Sequence, residues 1–400
     1  MRVLIVHNRY RSAHPSGENA VVDTEAALLE EHGCVVARLE SRSDDIASWS
    51  PARRAALPGR VVWSIEGYRR TRAAVARFRP DVVHFHNTFP LLSPSALWAA
   101  RQSGVGVVHT LHNFRPLCPG GSLYRDGAPC EDCLGRLPLR SLVHGCYRDS
   151  RLATAPLAAM DGVHRLLGTW TRCVDVFVTP SVFARDRYLA AGWPPEQFAV
   201  KANTVHLPVL EPASAYGHFV HTGRIAAEKG SGELLAAWAA AFPEGESTLR
   251  LVGDGLETLD PVLAQRPPPG IVVLGRLEPQ QALAALAGAR ALVVPSRLNE
   301  VFPRVIVEAY ALGVPVVASR VGPLPELVQH DRTGLLFASG STRELADHLR
   351  LLASSDETVR RLAAGARAAF DARYAPGVTT RRLLDVYERA IARTRVELPQ

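Results

Sequence analysis

Short apolar runs alternate with stretches of helical periodicity along the whole chain. In the first half the strand-like runs are Val3–Val6, Val35–Leu39, Val82–Phe85, Val107–Thr110 and Val174–Val178. Apolar positions at helical spacing fall between them, near 20–31, 65–78, 94–102, 151–172 and 182–191. The second half begins the pattern again with Phe219–His221, Leu249–Val252, Ile271–Leu274, Ala291–Val294 and Val314–Ala318. Helical patterns near 231–241, 279–288, 304–312 and 342–353 separate these runs. Strand–helix–strand alternation predicts βαβ units and parallel sheets, an α/β fold class.

The pattern occurs twice in 400 residues, too long a chain for one ordinary core. The Pro-rich stretch Leu207–Pro212 is the natural linker. We therefore expect a first domain over 1–205 and a second over 206–376. Pro267-Pro-Pro-Gly270 reads as a turn before a strand. Open parallel sheets bind ligands beyond the carboxyl ends of their strands. Two such domains predict a cleft lined by the loops after Val6, Thr110, His221, Val252, Leu274 and Val294.

Composition and charge narrow the picture. Hydrophobic residues make up 47% and charged residues 21%, a globular composition. No apolar run reaches the ~18 residues that span a bilayer. The chain opens directly as a strand, without a signal-peptide pattern, so a cytoplasmic protein is expected. Residues 1–205 hold 25 Lys/Arg against 18 Asp/Glu, a net +7; residues 206–400 hold 21 of each. That asymmetry suits an anionic acceptor or a peripheral membrane contact, or is a solvated Arg-rich surface. No nucleic-acid recognition motif accompanies it, and we expect no nucleic-acid partner. The chain has two lysines, Lys201 and Lys229. A chain so biased to arginine keeps lysine where a compact ammonium is wanted.

Two loops carry candidate chemistry. Strand Phe219–His221 runs into Thr222-Gly-Arg-Ile-Ala-Ala-Glu-Lys-Gly230 and then a helical pattern. Gly223 and Gly230 allow close backbone approach to a ligand. Arg224 and Lys229 set two cations beside a helix start, which suits a diphosphate. The spacing is not that of a P-loop. In the other loop, Glu300 follows strand Ala291–Val294, and Glu308 lies in the apolar segment Val305–Leu312. An unpartnered carboxylate there is costly. Glu308 needs a partner, and ribose hydroxyls would serve.

Here the sequence resembles a known family. Pro295-Ser, Glu300-x7-Glu308-Ala, Gly313-Val-Pro-Val-Val-Ala-Ser319, Gly322, Pro325-Glu326-Leu-Val and Gly334-Leu-Leu-Phe337 resemble the donor-domain signature of retaining glycosyltransferases of family 4. Gly223-Arg224, Lys229-Gly230, His7-Asn8, Gly17-Glu18 and His112-Asn113 fit the same family. The resemblance implies the GT-B architecture, two Rossmann-like domains facing across a cleft. It implies that Arg224 and Lys229 hold the donor diphosphate, and that Glu308 accepts hydrogen bonds from ribose. Glu300 would contact the transferred sugar, with Val301, Phe302, Pro303 and Arg304 facing sugar and phosphate. Backbone near Arg276 and Leu277 would meet the base, Gly17 the diphosphate, and His112 the donor sugar. Pro303 stands where the family often has glycine and donates no amide hydrogen. The helical segment Thr379–Thr394, within 377–400, would cross back to the first domain.

The implied activity is metal-independent transfer, with retention, of a hexosyl-type sugar from a nucleotide diphosphate sugar. A uridine diphosphate sugar is the default donor, and the acceptor is not identified by sequence. The sequence contains no Asp-x-Asp, so a metal-bound diphosphate is not expected and no catalytic cofactor is called for. Alternative readings are a nucleotide-sugar epimerase of the same architecture and a non-catalytic binding protein.

Four of the six cysteines, Cys118, Cys130, Cys133 and Cys146, fall within an insert over 116–148. Cys130-Glu-Asp-Cys133 is a C-x2-C knuckle, and the Pro, Gly and charged residues around it build no core. A structural zinc held by four thiolates, with His144 as a substitute ligand, would order such a loop. Free thiols and disulfides are the alternatives.

Overall fold

The computed structural model describes residues 1–12, 16–207 and 217–397; most of the expected linker lies outside the described residues. The chain forms two compact units that are not continuous in sequence. The first comprises Met1–Leu123, Cys130–Thr204 and Pro376–Gln400; the second comprises Tyr124–Pro129 and Val205–Ala375.

Unit 1 is built on six strands: β1 Arg2–Arg9, β2 Val35–Arg42, β3 Val82–Phe85, β4 Gly106–Thr110, β7 Val176–Thr179 and β8 Phe198–Val200. Their order is β2-β1-β3-β4-β7-β8, with every pairing parallel. The intervening β5 (Tyr124–Arg125) and β6 (Ala128–Pro129) form a two-stranded antiparallel hairpin. Strands β3, β4 and β7 are buried throughout, as sheets covered on both faces require. The long C-terminal helix Pro376–Glu397 places Leu383, Val386, Tyr387 and Ala390 in this unit's core, with Val3, Ile5, Val82, Val108 and Val176.

Unit 2 contains β9 His218–Thr222, β10 Leu249–Val252, β11 Ile271–Gly275, β12 Ala289–Val294, β13 Val316–Ser319 and β14 Gly334–Phe337. The order is β11-β10-β9-β12-β13-β14, again all parallel. Renumbered within the unit this is 3-2-1-4-5-6, the Rossmann order, with its topological switch point between β9 and β12. Phe219, Trp238, Phe242 and Phe337 anchor the core.

Most predicted elements lie within a residue or two of their expected positions. Three differences stand out, the first with a local cause. The stretch 151–172 is two helices, Arg151–Leu166 and Thr169–Cys173, because Gly168 adopts φ +63° between them. The run at 174–178 begins pairing only at Val176. Strands β8 and β14 and the helix Asp356–Ala369 were not among the expected elements.

Candidate active site

In unit 2, the carboxyl ends of β9 and β12 lie side by side at the switch point. Beyond β9 the chain passes through Gly223 and Arg224 into a 3-10 turn, Ala227–Lys229, and then the helix Ser231–Ala241. Gly230, at φ +71°, caps that helix with no side-chain hydrogen bond to its first turn. Any Cβ on Gly230 would lie 1.9 Å from the Pro295 carbonyl oxygen. The glycine that sequence reading assigned to ligand approach thus first lets the loop after β12 touch the loop after β9. Gly253 acts likewise: at φ +142°, a Cβ there would lie 1.9 Å from the Gly223 carbonyl oxygen. Ile225 N–H then donates to Asp254 C=O at 2.8 Å. The Gly253-Asp254-Gly255 turn was missed in the sequence, although two glycines at a strand end were its signal.

The two loops are tied by charge. Lys229 Nζ lies 2.9 Å from Glu300 Oε1, both side chains largely shielded. Arg297 Nη1 meets Glu233 Oε1 at 3.0 Å, and Arg297 N–H donates to Glu228 C=O. Arg224 is different: its exposed guanidinium pairs with Glu228 Oε1 at 2.6 Å and makes no described contact with Lys229. Behind the pair, buried His221 shares a hydrogen bond through Nδ1 with Val293 C=O. Burial lowers its pKa below the ordinary histidine value, so it is neutral and adds no competing charge.

Glu300 lies in the loop, and Glu308 in the second turn of the helix Arg304–Ala311. That helix follows Pro303, its N-cap, and has no side-chain cap. Tyr310 fixes it from beneath, its hydroxyl donating to Leu327 C=O at 3.1 Å and sharing a 2.6 Å bond with Thr333 Oγ1. The partner that Glu308 needs is supplied by the protein itself. Arg304, one turn earlier, reaches Glu308 Oε1 at 3.0 Å. Burial still raises the Glu308 pKa, with Arg304 pulling it back. Val301 and Phe302 connect the loop to the helix, Phe302 resting edge-on against Tyr374. Arg276 and Leu277 leave β11, the edge strand, two strands from β9.

Unit 1 gathers its candidates at its own switch point, between β1 and β3. Asn8 N–H donates to Asn87 C=O at 2.7 Å, and Asn87 Nδ2 returns a bond to Asn8 C=O. His112, after β4, shares a 2.9 Å hydrogen bond from Nε2 to His86 Nδ1. His86 Nε2 lies 3.7 Å from Glu25 Oε2, and Lys201 Nζ donates to Glu25 Oε1. Burial, reinforced by neighbouring positive groups, holds His86 and His112 well below the usual histidine pKa. His112 is thus held as a neutral imidazole, fit for hydrogen bonding without carrying charge. Gly17 opens the helix Gly17–Glu31, and the next residue, Glu18, accepts from Asn113 Nδ2 at 2.9 Å. The structure therefore brings together the Gly17 and His112 segments. His86, Glu25 and Lys201 were missed as a network, although His86 directly follows β3 in the run Val-His-Phe-His-Asn.

The four insert cysteines are free thiols. Burial, then the neighbouring Cys118, Cys146 and Cys130, pushes the Cys133 pKa up to about 11. Among the described residues, the group of three or more His, Cys, Asp or Glu side chains whose ligand atoms all lie within 4.8 Å of one another is Glu25, His84 and His86, not the cysteines. In that group Lys201 already occupies one Glu25 oxygen, and both His84 ring nitrogens are engaged, with Tyr387 and Thr110.

Two Rossmann-like units, each an all-parallel six-stranded sheet, define the GT-B class of glycosyltransferases. Comparison with known proteins makes the assignment specific. The profile for Glycosyltransferase Family 4 matches residues 21–207, and that for Glycosyl transferases group 1 matches residues 217–355. The chain belongs to glycosyltransferase family 4. It is 28% identical over 376 residues to a D-inositol 3-phosphate glycosyltransferase of Thermobispora bispora, covering 86% of this chain and 79% of that one. Similar solved structures include sucrose-phosphate synthase of Thermosynechococcus elongatus (TM-score 0.69, 16% identity, 98% and 99% of the two chains). Another is HepE of Anabaena in complex with UDP (TM-score 0.64, 18% identity, 97% and 100%).

Proposed function

We propose that this glycosyltransferase moves a hexosyl-type sugar from a nucleotide diphosphate sugar, a uridine donor favoured, to an acceptor with retention of configuration and without a catalytic metal. The observation that carries this reading is the Lys229–Glu300 pair across the Rossmann switch point of unit 2. A cation there meets the departing diphosphate, and a carboxylate beside it meets sugar hydroxyls. In this reading Arg224 turns from Glu228 to join Lys229 on the diphosphate, and Glu308 receives ribose. The uncapped amides opening the Arg304 helix face phosphate and sugar, and the chain at Arg276 and Leu277 receives the base. That a similar protein, HepE, is described in complex with UDP favours the uridine donor.

In the reaction the donor's C1–O bond to the diphosphate breaks and a C1–O bond to the acceptor forms. The acceptor hydroxyl's proton passes to the departing phosphate oxygen. Lys229 and Arg224 stabilise charge that grows on that oxygen, so their effect is larger in the transition state than in the ground state. Neutral His112 positions the sugar. Gly17 gives the phosphates close backbone approach in unit 1. A cytoplasmic setting fits this donor; among the described residues no helix is long and apolar enough to cross a membrane.

A thermal-shift panel of nucleoside diphosphates and their sugars tests the reading, because a ligand that binds only the folded state raises stability by mass action. Stabilisation by UDP or a UDP-sugar is expected. Silence from every nucleotide overturns it. Incubating donor alone separates transfer from epimerisation: a new epimeric nucleotide sugar formed without acceptor would establish the epimerase instead.

A further inference from the structure

The helix Arg151–Leu166 in unit 1 is amphipathic in an unexpected sense. Its inward face carries Thr154, Leu157, Ala158, Met160, Asp161 and His164. Helical spacing places Leu152, Ala155, Ala159, Val163 and Leu166 together on the opposite face, and all five are exposed. Leu152 is 87% and Leu166 79% exposed. No charged side chain interrupts this outward stripe. The adjoining helix Leu139–His144 adds Leu139 and Val143, one turn apart and 64% and 63% exposed. The two helices are linked by Arg151 Nε donating to Val143 C=O at 3.1 Å.

Around this patch positive charge predominates. Arg151 and Arg165 lie on one flank of the stripe, and Arg148 and Arg172 adjoin the helix at either end. Between residues 141 and 172 the acidic residues are Asp149 and the buried Asp161. At the N-terminal end, Leu152 also walls a groove of about 400 Å³ with Phe89, Pro90, Pro156 and Leu157, bordered by Arg11, Arg54 and Arg148.

We propose that this face docks unit 1 onto an anionic lipid bilayer. Exposed Leu and Val side chains at the outermost positions of a helix, with arginines beside them, match the interface between acyl chains and phosphate headgroups. Contiguous exposed apolar patches mark interaction surfaces. The flanking charge selects the occupant. A second copy docking about a twofold axis would set this arginine-rich surface against itself, whereas anionic headgroups complement it. The groove beside Leu152 gives one lipid chain a place to enter. This inference is independent of which sugar or acceptor the active site takes.

Co-flotation of the full chain with vesicles tests it. Binding is expected to phosphatidylcholine vesicles containing phosphatidylglycerol, and at least about tenfold weaker binding to phosphatidylcholine alone. The double variant Leu152→Ser/Leu166→Ser should lose about tenfold or more on the anionic vesicles, as should Arg151→Glu/Arg165→Glu. Both variants should keep a cooperative melting transition and the stabilisation by UDP. No binding of wild-type protein to anionic vesicles, or unchanged binding of the Leu variant, overturns the proposal while leaving the nucleotide reading untouched. So does a concentration-dependent dimer in sedimentation that Leu152→Ser/Leu166→Ser dissolves, since the face would then belong to a second copy.

Discussion

Lys229 Nζ and Glu300 Oε1 stand 2.9 Å apart across the point where the strand order of unit 2 reverses. Without a ligand each neutralises the other. In the proposed reaction a diphosphate would take over the ammonium and free Glu300 for a hydroxyl of the sugar. Lys229→Ala should reduce turnover by ~10²-fold or more, the scale of losing one electrostatic donor to a developing charge. The melting temperature should shift little, because an ion pair that keeps some contact with solvent contributes little stability. Steady-state kinetics on the folded variant checks this. Turnover within a factor of a few of wild type sinks the role of Lys229.

Glu308 and Arg304 share one helix face, and their 3.0 Å contact is intramolecular competition for any ribose. Glu308→Ala should weaken nucleoside diphosphate binding by roughly tenfold, the worth of about one charge-assisted hydrogen bond. Arg304→Ala leaves a largely buried carboxylate without its cation, so it should lower stability more than it lowers affinity. Calorimetric titration with UDP, beside urea unfolding of each variant, separates the two effects. Equal affinity of Glu308→Ala and wild type would remove the ribose assignment.

Both sheets were legible because their strands are buried on two faces and read as short apolar runs, as in Val82–Phe85 and Leu249–Val252. Lys229 and Glu300 were legible because each lies in a loop after such a run, and Glu308 because it is a carboxylate within an apolar segment. The partners were not. Arg304 was singled out for the donor and not for Glu308, and only helix geometry sets the two side by side. Lys201 and Glu25 are 176 residues apart, so their pairing has no local signal. Strand β14 carries two glycine-adjacent leucines and no alternation, so it read as a motif and not as a strand. Gly230 was singled out for ligand approach, and its close contact with Pro295 had no signal in the sequence.

The chain's other lysine makes a buried pair. Lys201 and Glu25 are 2% and 3% exposed in side chain. Removing one partner strands the other charge in the core. Lys201→Met is expected to cost about 3–5 kcal/mol, and Lys201→Met/Glu25→Leu to recover much of it. Urea unfolding of both variants measures the difference. A single variant no less stable than wild type would contradict the buried pair.

The cysteines of the insert predict a metal titration. Zinc bound by Cys118, Cys130, Cys133 and Cys146 would draw the sulfurs to ~2.3 Å from the ion, closer together than they now lie. Cys133, its thiol disfavouring ionisation through burial, would gain most from the cation. Purified protein should carry about one zinc per chain, and Cys130→Ser/Cys133→Ser should release it and lower the melting temperature. Elemental analysis without stoichiometric metal removes the proposal and leaves reduced thiols.

Two kinds of buried group oppose each other as pH changes. His84, His86, His109 and His112 have folded pKa values below 6.5, that of His109 about 4, all chiefly through burial. Below pH 6.5 the unfolded chain takes up protons that the folded chain refuses. Their contribution is therefore full above 6.5 and is lost as pH falls through that window, by up to about 1.4 kcal/mol per histidine and pH unit. Asp161 works the other way. Its two carboxylate oxygens are buried without a hydrogen-bond partner, and burial raises its pKa well above 3.8. The folded chain holds this proton where the unfolded chain releases it, so Asp161 costs stability as pH rises above 3.8. Asp161→Asn should therefore raise the urea midpoint at pH 7.5, and the gain should shrink steadily as pH approaches 4. Because the variant lacks the compensating group, its total loss of stability between pH 7.5 and 4.5 should exceed that of wild type. A gain that is flat with pH would mean that Asp161 keeps its charge in the fold, paired with Arg115 or Arg165.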